Sequence, residues 1–429
     1  SNELMEEAVA NARRALASKL VVKGRKVMVP LLQQVEDEGR ENPDKDLFQA
    51  PLDLFQMALE LDEENGVEAQ EALDTMMQVF EVDREAKRPP PNHGDPYDVV
   101  IVGAGASGVG MGLTLTRVFN LDPKRVLLVE RGEQAGESFR RWPKEMRFIS
   151  PSFNNQGWTA SFDLNSVAYQ TSPAYTLQAE HPTGAEYAHY LQELASSGEL
   201  NARYGTQVTA VRPVRTGGFK VDVAPARPDG AQDWAVDGAR VTTLRSRYVV
   251  WAAGEFQYPR KEAPEFPGAE LCRHNSSVRS WKELPGDDFV VIGGYESGMD
   301  AVHNLTQCGK RCTVASSTAF WKMTTDDPST ELAPYTMDRV RQAFRTAQTP
   351  PRLLAPLRVL GVEREEESGG YVVRGRWGAP VKHPGGEHRT AFHDSDADIE
   401  EEGEEGTEVK LSTPQPPLLC TGFGGSVRL

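Results

Sequence analysis

Cysteine is scarce in this sequence: there are four among 429 residues, Cys272, Cys308, Cys312 and Cys420. No two of them form a CxxC pair, so neither a disulfide framework nor a thioredoxin-type dithiol is expected. Cys308 falls at the predicted end of a helix and Cys312 in the following strand, which argues against a redox or metal pair. We interpret all four as structural thiols and expect no metal site.

Long apolar runs are also missing. No uninterrupted stretch approaches the roughly 20 residues that span a bilayer, and the first residues, SNELMEE, lack the basic and apolar regions of a signal peptide. Acidic residues outnumber basic ones by 63 to 47, and the net charge of −16 argues against nucleic acid or an anionic membrane as a partner. These absences predict a cytoplasmic enzyme with a small-molecule substrate.

Among the features that are present, a glycine-rich turn, GAGASG, lies at Gly103–Gly108. It follows an apolar run, Tyr97–Val102, that is typical of a buried parallel strand, and helix-compatible sequence comes after it. A second apolar run ends at Glu130, where an acidic side chain can accept hydrogen bonds from an adenosine ribose. The three glycines allow, in order, a tight turn, close approach to a pyrophosphate, and helix packing. The segment predicts a dinucleotide pocket.

A second turn, GGYESG at Gly293–Gly298, follows the apolar run Asp288–Ile292 and precedes a helix with an apolar face. Tyr295 replaces the middle glycine of the pattern. The turn predicts a second pocket, so that the chain would hold a flavin in one and a nicotinamide in the other.

The strand after the second turn, Arg311–Val314, is followed shortly by Ser316 and Ser317. An acid in this region selects the free 2′-hydroxyl of NAD, and none is present. Small hydroxyl groups near Lys310 and Arg311 suit a 2′-phosphate better. The sequence therefore favours NADP, with NAD as the alternative.

The composition divides the chain further. Residues 1–88 have apolar residues at helical spacing and predict a helical extension, which a proline-rich linker at 89–96 follows. The remaining segments are predicted as a first dinucleotide domain at 97–284, a second at 285–415 with a disordered acidic loop at 382–409, and a strand at 416–429 that returns to the first domain.

The stretch between the two turns is too long for a single crossover and predicts an insertion. Alternating runs between 205 and 244 predict a small antiparallel β unit, and Tyr248–Gly254 predicts a fully buried strand that ends in a tight turn. Tyr187–Leu194 predicts a helix, and Leu357–Val362 with Tyr371–Gly375 predicts a hairpin.

Together these motifs resemble those of the two-dinucleotide-domain flavoproteins, the group that includes flavin-containing monooxygenases and pyridine-nucleotide disulfide reductases. The resemblance runs from Tyr97 to Leu429 and rests on GAGASG with Glu130, on GESFRRW at 136–142, on WAAG at 251–254, on FPG at 266–268 and on GGYESG. It implies an α/β fold in which a Rossmann-like NAD(P)-binding domain is inserted into a Rossmann-like FAD-binding domain, with small antiparallel β insertions and an all-α N-terminal extension.

The resemblance also implies which residues bind FAD and NADP. For FAD they are Gly103, Gly105, Ala106, Ser107, Gly108, Glu130, Arg131, Ser138, Trp142, Val208, Ala253 and Gly254. For the nicotinamide dinucleotide they are Gly293, Gly294, Ser297, Gly298 and Ser316.

Three departures from the group are visible. The monooxygenase fingerprint FxGxxxH has histidine where this chain has Cys272, and His274 comes two residues later. The CxxC of the thioredoxin-type reductases is absent. Members of the group continue beyond a segment like Leu418–Phe423 into a further glycine-containing loop, so we expect a truncated C-terminus and an incomplete flavin pocket.

The expected function is that of an FAD-dependent oxidoreductase, in which NADPH reduces the flavin and the electrons pass to an organic substrate or oxygen, as in the monooxygenases. One alternative is a small-molecule disulfide reductase without a protein dithiol. Another is a degenerate flavoprotein that serves as a binding or regulatory module, with the N-terminal helices as the interface for a partner or a dimer. The sequence assigns no catalytic side chain.

Overall fold

The structure is a computed structural model of the chain. It describes residues 2–37, 49–61, 67–73, 96–152, 163–168, 171–215, 217–226, 241–256, 258–259, 266–323, 330–379, 400–401 and 403–424. The chain divides into two compact units, residues 1–90 and residues 91–429. No helix in the described ranges is both long and apolar enough to cross a membrane.

The first unit is helical. Its helices are α1 (Asn2–Asp37), α2 (Gln49–Leu61) and α3 (67–73). Their shared core includes Val21, Met28 and Phe55, and a Cβ on Gly24 would lie only 2.5 Å from the Phe55 ring, so α1 and α2 pack closely there. The predicted helical extension is confirmed over these residues. The predicted linker, 89–96, lies outside the described residues apart from its last residue.

The second unit begins with a six-stranded sheet in the order β3-β2-β1-β6-β5-β4. Its strands are β1 (Tyr97–Val102), β2 (Val126–Val129), β3 (Ala202–Arg203), β4 (Thr206–Pro213), β5 (Phe219–Pro225) and β6 (Thr242–Trp251). Strands β3, β2, β1 and β6 are parallel, and β5 and β4 extend the sheet in antiparallel fashion. This arrangement confirms the predicted Rossmann-like strands and antiparallel unit.

Four helices accompany this sheet: α4 (Ala106–Leu113), α5 (Glu137–Arg140), α6 (Pro173–Leu177) and α7 (Gly184–Ser197). A π-helical turn, Thr114–Val118, continues α4. Helix α7 begins with a capping box, in which the Thr183 hydroxyl accepts the Glu186 N–H and the Glu186 carboxylate accepts the Thr183 N–H. Helices α4 and α7 pack on Val99 and Ile101 of β1, which buries one face of the sheet.

Strand β6 corrects two predictions. The sequence predicts separate strands near 241–244 and at Tyr248–Gly254, whereas β6 is continuous from Thr242 to Trp251. It is also not fully buried, since Tyr248 is 68% and Trp251 45% exposed. Strand β6 joins the parallel half of the sheet to the antiparallel half, and β5 pairs only with residues 242–246, so among the described residues the stretch 247–251 pairs with β1 on one side alone.

A second six-stranded sheet has the order β14-β11-β10-β9-β16-β8 and is parallel throughout. Its strands are β8 (Arg273–His274), β9 (Asp288–Ile292), β10 (Arg311–Ala315), β11 (Arg352–Leu354), β14 (Glu400–Glu401) and β16 (Leu418–Leu419). Helices α8 (Glu296–Gln307) and α9 (Pro334–Thr346) pack on one face. The other face is covered by an antiparallel sheet of β12 (Leu357–Arg364), β13 (Tyr371–Trp377) and β15 (Glu408–Thr413).

The end of the chain differs from the prediction. Strand β16 does not return to the first sheet but pairs with β9 and β8 of the second, because Leu418 and Leu419 fill its core. The return is made by β17 (Phe423–Gly424), which pairs with β7 (Tyr258–Pro259) in the segment after β6. Most of the predicted acidic loop, 382–409, lies outside the described residues, but Glu400–Glu401 and Glu408–Thr413 form strands.

Candidate cofactor sites

The first glycine turn connects β1 to α4. Gly103 has a φ of +104°, and its N–H donates to the carbonyl of Val129 at the end of β2 (2.8 Å). A Cβ on Gly103 would lie 2.5 Å from the carbonyl oxygen of Ala252, and a Cβ on Gly108 would lie 1.9 Å from the carbonyl oxygen of Gly103. Backbone atoms therefore exclude any side chain at both glycines.

Gly105 is different, because a Cβ at this position would meet no atom within 4 Å. It is the N-cap residue of α4, and no side chain caps the helix. The first N–H groups of the helix, those of Ala106, Ser107 and Gly108, have no intrahelical partner and form the positive end of the helix dipole. Open space at such a helix end fits a pyrophosphate.

Glu130 follows β2 directly and is 9% exposed. One carboxylate oxygen accepts the N–H of Ala104 and the other accepts the N–H of Gly132, both at 2.7 Å. Each oxygen keeps acceptor capacity for a hydroxyl group. The predicted ribose acceptor is thus held rigidly against the glycine turn.

The second turn repeats these backbone contacts. Gly293 has a φ of +107°, and its N–H donates to the carbonyl of Ala315 at the end of β10 (3.0 Å). A Cβ on Gly298 would lie 2.0 Å from the carbonyl oxygen of Gly293. Cys420 takes the place of Ala252, since its carbonyl oxygen would lie 2.6 Å from a Cβ on Gly293. The two turns therefore make the same backbone contacts, including the contact with the carbonyl group that follows a neighbouring strand.

Tyr295 occupies the position of Gly105 without changing the backbone. Its φ and ψ are −91° and −166°, compared with −77° and −167° at Gly105. The tyrosine hydroxyl donates to the carbonyl of Glu331 (3.1 Å), and the ring centroid lies 4.8 Å from that of Phe320. Because this position needs no positive φ, a side chain is tolerated, and it adds an aromatic surface at the start of α8.

Several other predicted FAD residues lie near the first turn in the fold. Gly254, with a φ of +79°, follows β6, the neighbour of β1. Arg131 comes directly after Glu130. Val208 is on β4, whose first residue, Thr206, donates its N–H to the carbonyl of Glu130 (2.9 Å). The tertiary structure thus brings the start of β4 to the end of β2.

Ser138 and Trp142 belong to the segment around α5. The N-cap residue of α5, Gly136, donates its N–H to the carbonyl of Ala104 in the glycine turn (2.9 Å), which fixes the helix beside the turn. Ser138 is exposed. Trp142 packs in an aromatic cluster, with its ring centroid 5.1 Å from that of Phe148.

Ser316 occupies, in the second half, the position that Glu130 has in the first. It follows β10, and its N–H donates to the carbonyl of Leu354 (3.0 Å), as the Glu130 N–H donates to that of Arg203 (2.9 Å). Ser316 is 3% exposed, and its hydroxyl donates to the carbonyl of Thr318 (2.7 Å). An acid is absent at the corresponding position of the second half.

The predicted role of Lys310 and Arg311 beside the serines is wrong. Both residues lie at the start of β10, so the length of the strand separates them from Ser316. The Lys310 ammonium donates to the carbonyl of Gly286 (2.8 Å), and Arg311 pairs with Asp288 (2.9 Å). The two cations therefore lie at the amino ends of β9 and β10, opposite the carboxyl ends where Ser316 lies.

A buried polar network, which sequence analysis does not identify, joins α8 to α9. Arg339 donates to Asp300 (2.6 Å), and the backbone carbonyl of Arg339 accepts the Nδ1–H of His303 (2.9 Å). Burial raises the pKa of Asp300 against the effect of Arg339, and burial lowers the pKa of His303 to about 4. The sequence signal that could have revealed this network is Asp300, an acidic residue within the apolar face of the helix predicted after the second turn.

Glu296 connects the second glycine turn to α9. Its carboxylate accepts the N–H of Ala333, which precedes α9, and the hydroxyl of Thr336. Burial raises the pKa of Glu296, although these hydrogen bonds oppose the shift. The turn, α8 and α9 are therefore held together by hydrogen bonds as well as by apolar packing.

Comparison with known proteins identifies the class. The pyridine nucleotide-disulphide oxidoreductase family matches residues 100–356, more than half of the chain, and the chain belongs to this family. The match confirms the predicted resemblance to this family.

Among curated relatives, the flavin-containing monooxygenase FMO GS-OX-like 6 of Arabidopsis thaliana is 25% identical over 275 residues, which cover 59% of this chain and 55% of the relative. The chain spans about half the length, or less, of the curated relatives it matches.

Two solved structures show the same fold. The bacillithiol disulfide reductase of Bacillus cereus is 17% identical, with 76% of this chain and 78% of that chain covered and a TM-score of 0.50. The ornithine N-hydroxylase of Kutzneria sp. 744, solved with reduced FAD, NADP+ and L-ornithine, is 14% identical, with 77% and 81% covered and a TM-score of 0.52. Both likenesses confirm the predicted fold class.

Proposed function

We propose that this chain is an FAD-dependent NADPH oxidoreductase that holds FAD at the first glycine turn and NADPH at the second. The observation that carries the proposal is the repeated turn, with the same backbone contacts at the carboxyl end of a parallel strand in each sheet. The ligands of the Kutzneria neighbour, FAD and NADP+, support the same pair of cofactors.

FAD fits the first turn on two grounds. The open space at Gly105 accommodates the pyrophosphate at the start of α4, where Ala106 and Ser107 supply N–H donors. The anchored carboxylate of Glu130 accepts hydroxyl groups of the ribose. When bound, FAD supplies the hydride acceptor, and the chain contributes binding and orientation.

NADPH fits the second turn, where Gly294, Ser297 and Gly298 surround the start of α8. Ser316 stands where the first half has Glu130, so the second site has no carboxylate at this position to repel a 2′-phosphate. A cation, Lys322, lies on the helical turn Phe320–Lys322 that follows the end of β10. These features support NADP over NAD even though Lys310 and Arg311, at the start of β10, do not contribute.

The electron acceptor is proposed as oxygen together with an organic substrate, as in a monooxygenase. Cys312 and Cys420 argue against a reactive protein dithiol, because burial raises the pKa of both thiols and disfavours the nucleophilic thiolate. A small-molecule disulfide reductase without such a dithiol is the alternative that the same cofactors would serve.

The test is an anaerobic stopped-flow experiment on the purified chain loaded with FAD. We expect the flavin absorbance to bleach on mixing with NADPH and to recover when oxygen is admitted. A chain that binds FAD but does not bleach would contradict the oxidoreductase proposal and favour a binding module. Bleaching that recovers with a low-molecular-weight disulfide, but not with oxygen, would favour the alternative.

A further inference from the structure

We infer that Glu145 and His181 form an interdomain latch, which sets the orientation of the second glycine turn relative to the first. The inference rests on the proposed function, for which the two cofactors must meet in a defined geometry. Both residues lie in the part of the unit that contains the first sheet, and each contacts an element packed on the second.

Glu145 provides the first contact. Its carboxylate accepts the hydroxyl of Ser280 (2.6 Å) and the backbone N–H groups of Trp281 (2.9 Å) and Lys282 (3.4 Å). Burial of Glu145 acts to raise its pKa, but these hydrogen bonds outweigh burial and hold the pKa below its usual value. The carboxylate is therefore ionised at neutral pH, and it accepts hydrogen bonds from residues more than a hundred positions away along the chain.

His181 provides the second contact. Its ring stacks on Tyr335 of α9, with centroids 3.7 Å apart and an interplanar angle of 11°. Its Nδ1 donates to the carbonyl of Phe148 (2.8 Å). Phe148 in turn donates its N–H to Pro182 (3.0 Å), so that the segments holding Glu145 and His181 are joined to each other.

The two contacts converge on one buried group in the second sheet's core. The indole N–H of Trp281 donates to Asp300 of α8 (3.2 Å), and Arg339 bonds the same carboxylate. Arg339 also lies over the Tyr335 ring, 5.3 Å from its centroid. The contacts form a closed ring, and Asp300 lies near the start of α8, directly after the second turn.

This ring has a mechanical consequence. The segments that follow β6 and β16 run between the two sheets. Within the described residues, the strand pairing between these segments is the short pair β7 and β17. Such a connection permits rotation, and misplacement of reacting groups by about 1 Å can cost about 100-fold in rate. The latch limits this freedom together with two neighbouring bonds, in which Lys144 donates its backbone N–H to the carbonyl of Arg279 (2.9 Å) and Arg279 donates to the carbonyl of Arg141 (2.7 Å). Glu145 and His181 are therefore positioning residues for hydride transfer.

The test uses the full chain loaded with FAD. In Glu145→Ala we expect the flavin reduction rate at saturating NADPH to fall about tenfold or more, while the dissociation constant of FAD and the half-saturating NADPH concentration stay close to wild type. Tyr335→Leu, which removes the stacking partner of His181, should act in the same direction.

The matched control is Lys144→Ala. Lys144 is the neighbour of Glu145 and pairs across the same interface with Glu283 (2.6 Å), but the two side chains are 67% and 64% exposed. Such an exposed pair contributes little, and we expect the reduction rate of Lys144→Ala to match that of the wild type.

Hydrogen exchange supplies a readout that needs no turnover. In Glu145→Ala the amides of Trp281 and Lys282 lose their acceptor and should exchange faster, and the latch predicts faster exchange at the start of α9 as well. Unchanged exchange at α9, or an unchanged reduction rate in a chain whose wild type bleaches, would overturn the latch. A wild type that binds FAD but does not bleach would contradict the proposed function. In that case, the comparison of hydrogen exchange at the start of α9 between Glu145→Ala and wild type would still test the latch.

Discussion

At the scale of single residues, the two turns show which positions depend on glycine. Gly103 and Gly293 have positive φ angles, and a Cβ on either would lie within 2.6 Å of a carbonyl oxygen of the neighbouring strand end, so no other residue fits. The middle position has extended backbone in both turns, and Tyr295 is accepted where the first turn has Gly105. The fold therefore does not require a glycine at the middle position, and we propose that in the first turn the open space at Gly105 serves the FAD pyrophosphate.

This distinction makes Gly105→Asp a selective variant. The chain should fold, because a Cβ at this position meets no atom. Its carboxylate would face the pyrophosphate, and like charges at about 4 Å cost roughly 4 kcal/mol near a protein surface. We expect FAD to be lost while the melting temperature without FAD stays close to wild type. Stoichiometric FAD on the purified variant would remove this turn from the flavin site.

Glu130→Ala should weaken FAD by a different route. The variant removes a charged acceptor, and a hydrogen bond to such a group contributes about 1.5–3 kcal/mol. It also leaves the N–H groups of Ala104 and Gly132 without their acceptor, so the apoprotein should melt at a lower temperature. Fluorescence titration with FAD measures the affinity, and an unchanged dissociation constant would contradict the ribose assignment.

At the scale of elements, α8 and α9 are joined by charged and polar groups inside an apolar core. Asp300 and Arg339 are 7% and 8% exposed, and their pair is surrounded by apolar side chains. Removing one partner of a buried pair is strongly destabilising, whereas the intact pair contributes little net stability. The network therefore specifies how α9 lies on α8 more than it stabilises the fold.

His303 gives this helix pair a pH dependence. Its pKa falls from 6.5 to about 4 through burial, so the unfolded chain binds more protons between these values. Stability is therefore complete above about pH 6.5 and decreases as the pH falls toward 4. In His303→Gln, whose amide can still donate to Arg339, the melting temperature should decrease less than in wild type between pH 6.5 and pH 5, a range inside this window. Equal slopes for wild type and variant would contradict the assignment.

At the scale of the whole molecule, the two sheets present equivalent strand ends at the two proposed nucleotide sites. Glu130 and Ser316 occupy the same position in the two halves, and this difference sets the expected preference for the second nucleotide. The chain should therefore be reduced faster by NADPH than by NADH at equal concentration.

Ser316→Glu tests that preference. The variant introduces the acid that the first half carries and should shift the ratio of reduction rates toward NADH. Ser316→Ala is the matched control, because it removes the same hydroxyl without introducing an acid. Stopped-flow reduction with both nucleotides measures the ratio, and equal rates in the wild type would show that Ser316 does not select.

The sequence by itself determined the features that depend on neighbouring residues. The turn at Gly103–Gly108, its flanking strands and Glu130 are confirmed as structural elements because their pattern depends on local backbone geometry and on apolar runs. The helices of the first unit and the β12–β13 hairpin follow from the same short-range periodicity.

Only the tertiary structure decided which distant residues meet. Three findings depend on how whole elements pack. Leu418–Leu419 belongs to the second sheet, Lys310 binds the carbonyl of Gly286 and not the region of Ser316, and His181 contacts Tyr335. An apolar dipeptide can complete either sheet, and a lysine stem can reach several carbonyl groups. The free energy that chooses among such partners comes from burial across the full domain, and no local pattern in the sequence encodes it.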